Sequence, residues 1–115
     1  VENDECLKDL SWQSNLDGFL AGRFSPIEFA KFCVNEKLEL AHVLLVLQWV
    51  LIDCVRVASG LSALHFNVQN IASKKSLLAW YQLLDKVTEY QGLSMNKFNL
   101  NMELVLDDIF IRISE

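Results

Sequence analysis

A chain of 115 residues that is 52% apolar and 22% charged has one domain's length and enough apolar surface for a core of its own, which excludes a disordered tail. Four glycines and one proline are too few for the many tight turns of a sandwich or barrel. A net charge of −5 argues against the broad basic surface with which nucleic-acid binders displace counterions.

The chain opens at Val1 with no basic-then-apolar leader, so it is expected to be a piece of a longer cytoplasmic protein. Five helical segments and no convincing strand can be read. The first places Leu16, Phe19 and Leu20 at helical spacing and runs to about Ala21. Gly22 comes next as its C-terminal glycine, and Asn3 or Ser11 is available as its cap. The second begins at Phe24-Ser25-Pro26-Ile27-Glu28-Phe29. There Ser25 and Glu28 have the spacing of a capping box, Pro26 takes the first helical position, and Phe24 and Phe29 have the positions of a hydrophobic staple.

A long third helix is expected from about Glu36 to Ser59, capped by Asn35 and ended by Gly60. Leu40, Leu44, Leu47, Leu51, Val55 and Ala58 line one side, and Val43, Val46, Val50 and Val57 widen it until a narrow polar strip remains. A helix apolar around most of its circumference belongs at the centre of a bundle. Its most apolar window, from Leu40 to Ile52, is interrupted by His42 and Gln48. Asp53 closes it short of the roughly 20 residues that a membrane span needs. Residues 61–72 read as loop.

The fourth helix is expected to start near Ser73 or Ser76 and to end at Gly92, with Leu77, Tyr81, Leu84 and Thr88 on one stripe. The fifth starts at Asn99 or Asn101 and buries Met102, Val105, Leu106, Ile109 and Ile113. The fold class these segments imply is all-α: one helical bundle of about five helices over residues 1–115.

Candidate chemistry is sparse. Glu39 and His42 have the Glu-x-x-His spacing of di-iron bundles, but such a site needs a second copy, and His65 has Ser62 in the glutamate's place. Cys54, His42 and Asp53 could be written as a nucleophile with a base, but Cys54 falls on the apolar side of its helix. Cys6, Cys33 and Cys54 are widely spaced with no CxxC pair, which predicts reduced thiols and neither disulfide nor zinc. Lys74-Lys75 reads as a solvated basic pair, and the Trp and Tyr residues read first as core. No glycine-rich phosphate loop occurs. No cofactor, metal or catalytic residue is therefore expected, and no direct contact with nucleic acid or membrane.

Two features point outward. Asp53 and Arg56, three apart, form a helix-surface pair on the polar strip of the third helix, which they share with Trp49. That tryptophan either packs under its neighbours or touches another subunit. On the last helix Leu104 and Ile111, seven apart, fall opposite the buried stripe among Asp107, Asp108 and Arg112. Either another helix of the domain covers them or they meet a partner. Trp49, Arg56, Leu104 and Ile111 are the candidate interface residues.

The ordered segments over about residues 23–113 resemble the C-terminal (collar) domain of bacterial DNA polymerase III clamp-loader subunits, most like the delta prime branch. The resemblance rests on LQWVLIDCVRVASG, with Trp49, Asp53, Arg56 and Gly60, and on the terminal NMELVLDDIFIRI behind an asparagine cap, with Arg112 near its end. It implies an oligomerisation domain that comes after AAA+-type modules and packs with the helical collar domains of the gamma/tau and delta subunits to support sliding-clamp loading in DNA replication. Nucleotide and most DNA contacts would belong to those modules. The alternative is an independent all-helical adaptor or regulatory domain that binds a partner helix.

Overall fold

Side-chain caps and left-handed residues set most of the helix boundaries in this chain. The computed structural model describes residues 14–95 and 101–115. Helix α1 is described over 14–20; after it come α2 (Pro26–Asn35), α3 (Leu40–Ala58), the single turn α4 (Gln69–Ala72), α5 (Leu77–Met95) and α6 (Met102–Ser114). No strand occurs among the described residues. Asn3, Ser11, Cys6 and Asn99 lie outside them.

Ser25 Oγ accepts from the Glu28 N–H at 3.1 Å, with Pro26 at the first helical position, so α2 starts where the sequence places it. The return bond from Ser25 N–H to Glu28 is not made, so the capping box is half formed. The Phe24 ring lies over Gly18, where an added Cβ would come within 2.6 Å of it. Gly22 and Gly60 adopt φ of +84° and +88° and close α1 and α3. In each case the next N–H reaches back to the carbonyl five residues earlier: Arg23 to Gly18 at 2.8 Å and Leu61 to Arg56 at 2.8 Å.

Packing pairs α3 with α5 and α2 with α6, sets α4 against α3, and joins the pairs where α5 meets α6. Phe19, Phe29 and Phe110 gather α1, α2 and α6 at ring-centroid distances of 4.8–5.1 Å. Each such ring pair adds about 0.5–1.5 kcal/mol beyond burial of its area. On the other side Leu44, Leu47, Val50 and Leu51 of α3 are fully buried, as is Trp80 of α5. The Trp80 indole N–H donates to the Ala72 carbonyl at 2.9 Å, which ties α4 to α5. By length and composition α3 could cross a membrane. Here it is the core helix, with eight residues buried.

Three boundaries and one face differ from the sequence reading. Asn35 does not cap α3: α2 continues through it, Glu36 is its C-cap, and Lys37 turns the chain at φ +56°. Helix α3 then starts at Leu40 behind Glu39, which makes no side-chain capping bond. Residues 61–72 are not all loop, since α4 forms within them. Gly92 does not end α5, which runs to Met95 from a start where Ser76 Oγ accepts the Ala79 N–H at 3.2 Å. The buried stripe of α5 is Trp80, Leu83 and Val87, while Leu77 and Tyr81 are exposed. The bulk of Trp80 and its bond to Ala72 decide that rotation. On α6 the expected stripe is buried, except that Met102 is partly covered and Phe110 joins it.

Candidate functional site

The C-terminal half of α3 and the segment after it form one hydrogen-bonded unit. Asp53 Oδ1 accepts the Leu64 N–H at 2.9 Å, and Oδ2 accepts the N–H groups of His65 and Phe66, both at 2.8 Å. Three successive backbone donors thus point at one carboxylate, and the residue is fully buried. Burial alone would push its carboxyl up. The three donors and the nearby His65 outweigh this and hold it below the usual carboxylate value. Arg56, one turn later, donates from Nε to the Ser62 carbonyl at 2.9 Å. Asp53 and Arg56 are therefore not the surface ion pair expected of them. Each clamps a different part of the 61–66 segment.

That segment brings His65 against Trp49, with ring centroids 5.9 Å apart. Beside them Asp17 of α1 and Phe66 complete a notch of about 240 Å³. Trp49 remains 44% exposed and Arg56 half-buried. Along its outer side α3 presents Leu45, Trp49 and Ile52 to the surface at spacings of four and three. The outer strip of this helix is thus more apolar than the narrow polar strip expected from the sequence. Leu45 and Ile52 escape that expectation, although their spacing from Trp49 is the signal of a shared helix face.

On α6, Asn101 Oδ1 accepts the Leu104 N–H at 3.1 Å and fixes where the helix starts. Leu104 is 66% exposed and Ile111 40%, so no described helix of the domain covers them. Seven residues apart, they share one side of the helix. Helix α3 does not pack closely on α6, so the four candidate interface residues fall into two pairs on two helices.

The remaining candidates for chemistry do not assemble. Cys54 and Cys33 are fully buried free thiols, and burial pushes each up to about 12, with Asp53 adding to the effect at Cys54. The Asp53 oxygens face the 64–66 backbone, and His42 is exposed about three turns away along α3. Among the described residues no group of three His, Cys, Asp or Glu gathers as a metal site. Compared with known proteins, the chain matches no family model, no curated protein and no solved structure.

Proposed function

We propose that this chain is a non-catalytic assembly domain of a bacterial, cytoplasmic DNA polymerase III clamp loader, a delta prime-like collar segment that packs with the collar domains of the gamma/tau and delta subunits. One observation carries the reading. Trp49, Asp53, Arg56 and Gly60, the residues on which the resemblance rests, act together: Gly60 turns the chain, Arg56 and Asp53 clamp the 61–66 segment, and His65 is set against Trp49. A helix end built this way gives a rigid surface at the edge of the bundle, and rigidity in the free state lowers the cost of association. The exposed Leu104 and Ile111 supply a second apolar contact on α6.

The test is gel filtration of the chain mixed with gamma and delta collar domains. Co-elution as a complex is expected, with no ATP hydrolysis and no tight binding of primed DNA by the chain alone. Elution as separate species would sink the proposal. A second reading, an adaptor that binds one partner helix, is favoured by the Leu45, Trp49 and Ile52 stripe, whose spacing suits a helix laid along α3. Binding to a single amphipathic peptide without assembly would support it instead.

A further inference from the structure

The chain carries a net charge of −5, yet three of its ten Lys and Arg residues converge on one groove between α5 and α6. The groove, of about 320 Å³, has Lys75, Lys86 and Arg112 around it, Ala79 and Leu83 as apolar wall, and the Gln82 amide between. Ala79, Gln82 and Lys86 keep to the helical repeat along one face of α5, with Lys75 just before the Ser76 cap. The two lysines therefore stand on the order of 15 Å apart.

Each cation is held by a neighbour without being neutralised in full. Lys75 Nζ lies 5.7 Å from the Trp80 ring centroid and Lys86 Nζ 5.1 Å from that of Tyr90. Neither lysine makes a salt bridge among the described residues, although Lys86 acts through space on the Asp108 carboxylate. Arg112 is oriented by Asp108, which accepts its Nε at 2.8 Å and the Tyr90 hydroxyl at 2.9 Å. With Nε so used, the amino groups of the guanidinium remain for another anion. Glu115 also lines the groove; it makes no salt bridge with the three cations, but its carboxylate acts through space on Arg112.

We propose that this groove binds an acidic peptide segment of a partner protein, with carboxylates at Lys75, Lys86 and Arg112 and an apolar side chain against Ala79 and Leu83. A peptide is favoured over a nucleic-acid strand because the chain as a whole is net acidic and repels a long polyanion, while a short segment engages only the local charge. The apolar wall also has no use for a bare phosphate. The proposal is independent of the clamp-loader reading and survives its failure.

The experiment is fluorescence anisotropy on the 115-residue chain with a short labelled peptide of Asp and Glu around a central leucine. Binding at low salt is expected, weakening as salt rises. The double variant Lys75→Glu/Lys86→Glu should lose at least about tenfold in affinity, since two charge-assisted contacts become repulsive. Circular dichroism checks that it folds, and if it does not, Lys75→Gln/Lys86→Gln decides with a smaller loss. Unchanged affinity in a folded variant, no binding of the peptide, or equal binding of a single-stranded oligonucleotide of matched charge would each overturn the proposal.

Discussion

Asp53 and Arg56 sit one turn apart on α3 and make no ion pair, because each holds a different stretch of the segment beyond the helix: Asp53 the N–H groups of residues 64–66, Arg56 the carbonyl of Ser62. A buried, charged acceptor that serves three backbone donors is expensive to lose. Asp53→Asn keeps the shape but turns an N–H₂ towards donors, and should cost about 2–3 kcal/mol in urea unfolding. The pH dependence has a definite sign. The carboxyl is held below its ordinary value, so its contribution is full at neutral pH and is lost as pH falls through the carboxylate range and below. The gap between wild type and Asp53→Asn should therefore narrow towards acid. A gap that is constant from neutral pH to acid would contradict the role assigned to the charge.

Much of the fold is legible in the sequence because helices announce themselves locally. Ser25-Pro26, Asn101, Gly22 and Gly60 all act as their residue types suggest, and the aliphatic stripe of α6 is buried as its spacing implies. The illegible parts depend on partners far along the chain. The donors to Asp53 are backbone groups 11 to 13 residues away, and a backbone N–H leaves no mark in the sequence. The face of α5 is ambiguous for a related reason: Leu77 and Tyr81 match the helical period as well as Trp80, Leu83 and Val87 do, and the bond from Trp80 to Ala72 chooses between them. At the end of α2, Asn35 is a good cap by type, but the turn is made two residues later by Lys37.

Lys37 is the one non-glycine among the described residues with positive φ, at +56°. It occupies the place that glycine takes after α1 and α3, with its N–H on the Val34 carbonyl and the Leu38 N–H on the Cys33 carbonyl. A side chain in this region is strained by about 1 kcal/mol. Lys37→Gly should therefore stabilise the protein by up to about 1 kcal/mol, less the greater freedom of glycine in the unfolded chain. In contrast, Ser25→Ala and Asn101→Ala should each destabilise by about 1 kcal/mol through loss of a cap. Thermal unfolding of the three variants measures this, and a destabilised Lys37→Gly would show that the lysine side chain contributes something the backbone does not reveal.

Cys33 and Cys54 should be inert while the protein is folded. Both thiols are buried and pushed up to about 12, so the thiolate that reacts is scarce at neutral pH and hidden from reagent. Mass spectrometry after brief treatment with a maleimide should find these two positions unmodified in the native protein and modified in urea. Rapid native labelling of either would mean that α2 or α3 opens far more readily than its packing implies.

The candidate interface residues give the sharpest separation between a role in folding and a role in assembly. Leu104 and Ile111 are 66% and 40% exposed, so their side chains contribute little to the core. Changing both to serine removes apolar surface that water already reaches, and surface changes of this kind usually move stability by less than about 0.5 kcal/mol each. Trp49 differs: it is 44% exposed, and its ring also lies against His65, so Trp49→Ala should cost some stability as well as any partner contact. Arg56→Ala would free the Ser62 carbonyl and loosen the clamped segment, which makes it a poor probe of contact alone. The informative variant is therefore Leu104→Ser/Ile111→Ser. We expect it to unfold at nearly the wild-type denaturant concentration and to lose co-elution with gamma and delta collar domains in gel filtration. Because binding energy concentrates in a few residues, the loss should be large if the two leave a central position and small if they lie at a rim. A folded variant that assembles with wild-type affinity removes α6 from the interface, and a variant that unfolds places the two residues in the core despite their exposure.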